Sequence, residues 1–569
     1  MASGSDCFRW TLGIGLIVAV TACQETAGAG GRDGGAVDTA VLVDARAADD
    51  AAVADVHAGM LASAPRVVRG CAAENEAPLR TGNGIDEVEC TRVGALPPTG
   101  ASEWPDTTDV EGPVAHVAQG ASGGGDGSRE RPFATIAAAL GSGARTIALR
   151  RGFHRVAGAL AVDRAATLVG AGAGATVLAS TRGHAIVEGA TGVAVSLRGL
   201  SLAYDDGAAD ERDVAVDVAG DASMEDLEVT RASIGVRARG GALRARRVTV
   251  ASSARYDVLV AGDARAELDL LWLRGGPGQG VRAEGGRVML RRSLVVDHAR
   301  HGVVLTGTPS AVGFDDCANP ASRGARDCFD QVVAARNGVA GLYAEGPRAV
   351  DARRMSLRDT RLASVGVGEA GDGLVANAGA TLRLDHDLVD VAMRGFGSEV
   401  SGNARAGVLA QGERTRITVR GGWILRNAVG AVFLAGGARA EVIGESLMLQ
   451  NRFAGVVVVP GAEAAIVQCN GIAETAMGAT PGATSVMLAD GIHLNGALGT
   501  VDVHENIVEG NAGFGLLVND ARALVARNRG AENRYGVGRY NGAVIDGDGT
   551  GIAGREATPM VAPGLAGAL

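Results

Sequence analysis

The chain has 569 residues, too many for one ordinary globular core, so it is either several domains or one elongated repeat. Glycine accounts for 87 residues, aromatics for only 3%, and all 54 basic residues are arginine, which excludes chemistry that needs a lysine amine. The net charge of −10 is carried by interspersed signs rather than a basic face, which argues against a nucleic-acid partner.

Residues 1–22 have the layout of an export signal: one arginine in MASGSDCFRW, an apolar run TLGIGLIVAV, then small residues. The run is too short to span a bilayer. The quartet Val20-Thr21-Ala22-Cys23 resembles the lipobox of bacterial lipoproteins. That resemblance implies cleavage before Cys23 and its lipidation, and so a cell-envelope protein anchored to the outer membrane, facing the periplasm or the surface. Cysteine usage fits export. Cys71 and Cys90 lie close in sequence, as do Cys317 and Cys328, giving two plausible local disulfides, while Cys469 is left over as a small hydrophobe. Residues 23–110 are rich in Ala, Gly and Asp without a sustained period and read as a tether, with a small knot around the Cys71–Cys90 pair.

The pattern changes near residue 111. GASGGGDGSRERPFATIAAAL places glycines before a short amphipathic helix carrying Pro132, Phe133 and Ile136. Neither a Walker lysine nor a dinucleotide acidic residue follows, so a phosphate loop is excluded. The reading is a plug over an otherwise open sheet edge.

Beyond it a glycine-led apolar anchor recurs: GVRARGG at Gly235, GVRAEGG at Gly280, GVVLTG at Gly302, GVLAQG at Gly407, GAVFLAGG at Gly430, GVVVVPG at Gly455, GIHLNG at Gly491 and GLLVND at Gly515. Steps are 22 residues (280 to 302), 23 (407 to 430), 25 (430 to 455) and 24 (491 to 515). Asparagine precedes the anchor at Asn337, Asn403, Asn427, Asn451, Asn511 and Asn533, as expected for a tight corner whose amides stack into a ladder. No 3.6-residue period accompanies the repeat. Units of this length, with short β-branched stretches and small inward residues, predict a solenoid over 111–555 and a tail at 556–569. The expected class is all-β: a right-handed, single-stranded parallel β-helix of about 15 rungs with an N-terminal capping helix.

From Ala115 to Leu178 the chain resembles the opening of the pectin-lyase-like superfamily of parallel β-helix proteins, in its exported form with a DUF1565-type start. The residues that carry this are Gly125-Asp126-Gly127, Pro132-Phe133-Ala134-Thr135-Ile136, Gly152-Phe153 and the TLVGAG turn with Gly170. The resemblance implies the β-helix and, as the best-known activity of the fold, cleavage of polysaccharides.

Candidate chemistry follows from paired acids and histidines. Asp385-His386-Asp387, the Arg300-His301-Gly302 element, Asp315-Asp316, and Asp502 with His504 and Glu505 are the ionisable clusters. On a strand Asp385 and Asp387 share a face and His386 takes the other, so these three are no ready-made triad. His298 stands where other rungs carry Asn, which favours a corner position. The hydrolase Asn-Thr-Asp and lyase Arg-x-Pro-x-x-Arg signatures are absent. Asp546 and Asp548 begin like a calcium loop, but Ala557 stands where the bidentate Glu belongs; no cofactor is expected, with Ca2+ at Asp546 and Asp548 the one metal option. The sequence favours a lipid-anchored, non-catalytic surface or periplasmic binding or structural module, whose partners are the membrane and a polysaccharide or cell-surface protein. The alternative is a polysaccharide lyase or glycoside hydrolase on an acidic polysaccharide, which requires at least three charged side chains converging on one outer face of adjacent rungs.

Overall fold

A computed structural model describes residues 5–9, 21–25, 71, 73–80, 88–98, 100, 102–110, 112–205, 207–310, 314, 326–365, 368–384, 398–479, 487–547 and 551–558. The body is a parallel β-solenoid of about 15 rungs. Each rung contributes one short strand to each of three faces. Face A begins with Val114–Val117, face B with Gly152–Val156 and face C with Leu160–Val162. Every strand pairs in parallel with the strand one rung away on its own face, as in Gly430–Ala435 between Ala406–Gln411 and Phe453–Val458. At the usual strand spacing the stack is about 70 Å long.

The reason is visible in the side chains. Inward positions are mostly Ala, Val, Leu and Ile, with a few such as Met224, Phe329 and Met448, and they merge into one continuous column from Ala115 to Ile552. No single rung could bury this surface alone, so stacking is the stabilising step. The helix Ile136–Gly141 has Thr135 as N-cap, accepting from the Ala138 N–H at 3.2 Å. It buries Ile136 and Ala139 beside Ala115, Val117 and Ile147, on the first two strands of face A.

Two of the three corners turn through a left-handed residue on nearly every rung. Between faces A and B these include Asp226, Arg247, Leu270, Arg292, Arg354, Glu445 and Arg527; between B and C they include Ser252, Asp297, Arg336, Arg426 and Gln450. A non-glycine residue there costs roughly 1–2 kcal/mol. The left-handed residue is the one before each corner asparagine, as in Arg426-Asn427, so the expected reason for asparagine, its tolerance of a tight left-handed turn, is corrected. Its contribution is the side-chain amide. Asn403 Nδ2 donates to Asn427 Oδ1 at 2.9 Å, Asn427 to Asn451 at 3.0 Å and Asn511 to Asn533 at 2.8 Å, all buried.

Two further amide stacks were not read from the sequence. Asn470, Asn506 and Asn528 link at 3.0 and 2.9 Å between faces A and B. Asn495, Asn519 and Asn541 link at 2.7 and 2.6 Å between faces C and A. The last outward position of face A carries a different order. Arg198, Glu225, Arg246, Asp269, Arg291, Asp330 and Arg353 face one another on consecutive rungs, strictly alternating in charge.

The end of the segment expected as a tether is docked on the solenoid. Strands Glu76–Arg80 and Val88–Arg92 form a hairpin, stapled by the Cys71–Cys90 disulfide with Cα atoms 5.6 Å apart. Ala77 and Val93 pack on Leu270 at the corner between faces A and B and on Trp272, Leu294, Val296, Val333 and Ala335 of outer face B. The Gly94 N–H donates to Leu270 O at 2.8 Å; a Cβ there would lie 2.4 Å from Thr249 Oγ1, and φ is +81°. Trp104 is buried against Ala118 and Ala148. The apolar outer face supplied a seat that low-complexity composition did not reveal.

Candidate active site on the outer surface of face C

Polar and aromatic groups converge on the outer surface of face C, on the strands Tyr256–Ala261, Gln279–Glu284, Val303–Thr306, Ala340–Glu345 and Asp372–Asn377. Alternation sends Val258, Val281, Val303 and Leu342 inward, which leaves Arg282, Val304 and Tyr343 stacked outward on consecutive rungs. His301 precedes the anchor Gly302. Gly280 and Gly341 are the anchors of the flanking rungs, so His301 is paralleled by Gln279 and Ala340.

His301 is held neutral. Burial, reinforced by the positive charges of Arg300 and Arg282, pulls its imidazole down to about 4. Its Nδ1 is buried without a hydrogen-bond partner, and its ring meets the Tyr343 ring edge-on at 5.3 Å. Tyr343 Oη donates to Glu345 Oε2 at 3.2 Å and accepts from Asn377 Nδ2 at 3.1 Å. Burial raises the Tyr343 phenol above its ordinary value. Arg282 Nε pairs with Glu284 Oε1 at 2.5 Å, and its guanidinium lies 5.7 Å from the Tyr256 ring, which Arg255 approaches at 5.5 Å. Arginines therefore flank the site on the side of the face B corner and carboxylates on the other. A neutral imidazole in a positive field, beside a phenol and a guanidinium, can bind an anionic group and accept a proton from a carbon or oxygen next to it.

The other sequence candidates fall as follows. Asp385, His386, Asp387, Asp315, Asp316, Cys317 and Asp548 lie outside the described residues. Of the lipidation candidate Cys23, only the backbone is described, in Thr21–Glu25 antiparallel to Ser5–Arg9. Cys328 and Cys469 are both disulfide-bonded, which corrects the expectation of Cys469 as a leftover small hydrophobe. Pro132 and Phe133, expected in the helix, precede it instead: Phe133 bridges to Val117, its N–H bonding to His116 O at 2.8 Å. Asp546 is exposed at the end of Val544–Asp546. His504 Nδ1 pairs with Asp502 at 2.9 Å, and Glu505 with Arg527. Trp272 lies under the docked hairpin and Trp423 is buried, so neither offers an open stacking face. Cys71, Glu76 and Cys90 group with metal-site spacing, but the disulfide removes both thiolates.

His298 is a corner residue: its Nδ1 meets Asn337 Oδ1 at 3.1 Å and its Nε2 meets Asp257 Oδ2 at 2.8 Å, all three buried. Asn337 Oδ1 also receives the His298 backbone N–H, so the histidine occupies a place in the amide stack and Asp257 terminates it. A second buried pair, Asp490 and His493, meets at 2.7 Å. Nothing in the local sequence marks the first pair as a contact, because its partners are brought together only by rung register.

No protein-family model and no curated protein matches the chain. Among solved structures it is similar to the A-module of an Azotobacter vinelandii mannuronan C-5 epimerase, at 17% identity over 76% of this chain and 100% of that one, with a TM-score of 0.28. It is similar to a pectate lyase at 12% identity, covering 62% and 78% with a TM-score of 0.31. The catalytic domain of a GH87 α-1,3-glucanase gives 11%, 82% and 70%, with 0.33. At these scores the likenesses decide nothing about activity, and the fold rests on the strand pairing itself.

Proposed function

We propose that the chain is a carbohydrate-active protein of the cell envelope that binds an acidic polysaccharide along outer face C and processes it at His301. The observation that carries this is His301: neutral, partly buried, unpartnered at Nδ1, and set between Arg282, Arg300 and Tyr343. Charged groups on neighbouring rungs around the neutral His301, namely Arg282, Glu284 and Glu345, support the reading.

In this reading Arg282 pairs with a sugar carboxylate and, by withdrawing its charge, acidifies the carbon bearing it. His301 takes that carbon's proton, its electron pair forms a double bond to the adjacent carbon as that carbon's bond to the glycosidic oxygen breaks, and the Tyr343 phenol gives its proton to the departing oxygen, leaving an unsaturated end. Lipidation at Cys23 would hold the solenoid at the membrane. The test is turnover of polygalacturonate and alginate by protein lacking residues 1–22, followed as new unsaturated or reducing ends. His301→Gln should abolish turnover while retaining binding, and Arg282→Gln should weaken binding. Binding by the wild type without turnover of either polymer would return the protein to the non-catalytic class, a reading favoured by the internal pairing of Arg282 with Glu284.

A further inference from the structure

The corner leading from face B into the His301 site carries two arginines that the proposed reaction does not use. Arg255, Gly278 and Arg300 occupy one corner position on three consecutive rungs. Arg255 and Arg300 are both exposed, and their backbones stand about 10 Å apart at the usual strand spacing. Gly278 ends the run Gly275-Gly276-Pro277-Gly278. No side chain fits there, because a Cβ on Gly278 would lie 2.1 Å from Arg255 O. The rung between the two arginines is therefore bare at this corner.

Neither guanidinium is strongly committed. Arg300 has no acid partner among the described residues, and its charge reaches the His301 ring. Arg255 meets Glu211 at 3.3 Å, but the two side chains are 44% and 83% exposed, and a pair so open to water contributes little. The Tyr256 ring, 5.5 Å from Arg255 and 5.7 Å from Arg282, draws both groups to one edge of face C. Across His301 the matching positions differ. The corner continues from Arg300 to Val339 and Gly371. The outward row continues from Arg282 to Val304, Tyr343, Val375, Leu409 and Phe433, with Glu345 beside Tyr343. Positive charge is thus confined to the N-terminal side of His301. Two long guanidinium side chains over bare backbone suit a planar carboxylate arriving from solvent.

We propose that Arg255 and Arg300 form a second carboxylate subsite, over Gly278, for the uronate next to the one held by Arg282. This rests on the reading of Arg282 and His301 given above and narrows its substrate. The polymer carries acids on adjacent sugars, and it runs from His301 toward the N-terminal rungs.

The test uses the H301Q chain, which holds the ligand without turning it over. It is titrated calorimetrically with tetramers of galacturonate and of mannuronate and with a neutral gluco-tetrasaccharide, alongside thermal melting. Adding R255Q/R300Q should leave the Tm unchanged and weaken binding of the preferred acidic tetramer about tenfold, with a shallower dependence on salt. R255K/R300K, which keeps the charges, should retain most of the affinity. Undiminished binding by R255Q/R300Q, with binding still weakened by R282Q, would overturn the second subsite and leave the reading of Arg282 and His301 standing. A lower Tm with weak binding in both the glutamine and the lysine pairs would make the arginines structural and also overturn it. Failure of wild type and H301Q to bind either acidic tetramer, or equal binding of the neutral one, would overturn both.

Discussion

Replacement of Asp257 by asparagine and by alanine separates hydrogen bonding from charge at the head of the amide stack. His298 Nδ1 is committed to Asn337, so its Nε2 depends on Asp257. The substituted carboxamide can donate to His298 Nε2 in the same geometry, so Asp257→Asn should cost under about 1 kcal/mol near neutral pH. Asp257→Ala leaves a buried imidazole nitrogen unpaired and should cost about 1–3 kcal/mol. The pH dependence carries the sign. Burial pushes the Asp257 carboxyl above its ordinary value. The folded state therefore keeps a proton that an unfolded aspartate loses near pH 3.9, and the associated stability is present below that pH and lost as pH rises through the folded value. The wild type should lose stability relative to Asp257→Asn by about 1.4 kcal/mol per pH unit across that window, since only the wild type carries the Asp257 proton. Urea unfolding of the three proteins from pH 4 to 8 measures it. A flat difference between wild type and Asp257→Asn, or equal losses for the two variants, would refute the reasoning.

Arg348 is fully buried, bonding Gly286 O at 2.7 Å, Thr306 O at 2.9 Å and Ala283 O at 3.2 Å while sharing Asp327 with Arg287. Arg348→Met should therefore cost about 3–5 kcal/mol in chemical unfolding. Asn427→Ala removes the acceptor for Asn403 and the donor to Asn451, at about 2 kcal/mol or more in the same assay. Removing the Cys71–Cys90 link should loosen the hairpin by about 3 kcal/mol, seen as faster amide exchange at Gly94 with the solenoid Tm little changed. His301 should show no imidazole titration by NMR between about pH 5 and 8, because burial and its flanking arginines hold it neutral there.

Much of the fold was legible because a solenoid repeats its constraints: the anchor at Gly280, Gly302, Gly407 and Gly430 recurs at the length of a rung, and each returns to face C. One amide stack was legible for the same reason. The stack of Asn470, Asn506 and Asn528 was not, because it has few members and its first step is 36 residues where its second is 22. Of the candidate site, His301 was visible as a residue but not as a site. Its neighbours Arg282 and Tyr343 lie 19 and 42 residues away in sequence, and only inward–outward alternation over three rungs brings them onto one surface. Buried pairs such as Asp257 with His298, separated by 41 residues, leave no local pattern at all.

The alternating column from Arg198 to Arg353 bears on how such a chain can lengthen or shorten. Losing one rung from it would set Arg beside Arg or acid beside acid, whereas losing two restores opposite neighbours. Charge parity thus makes the viable unit of duplication or deletion in this part of the solenoid a pair of rungs, about 45 residues, rather than the single anchor-to-anchor repeat.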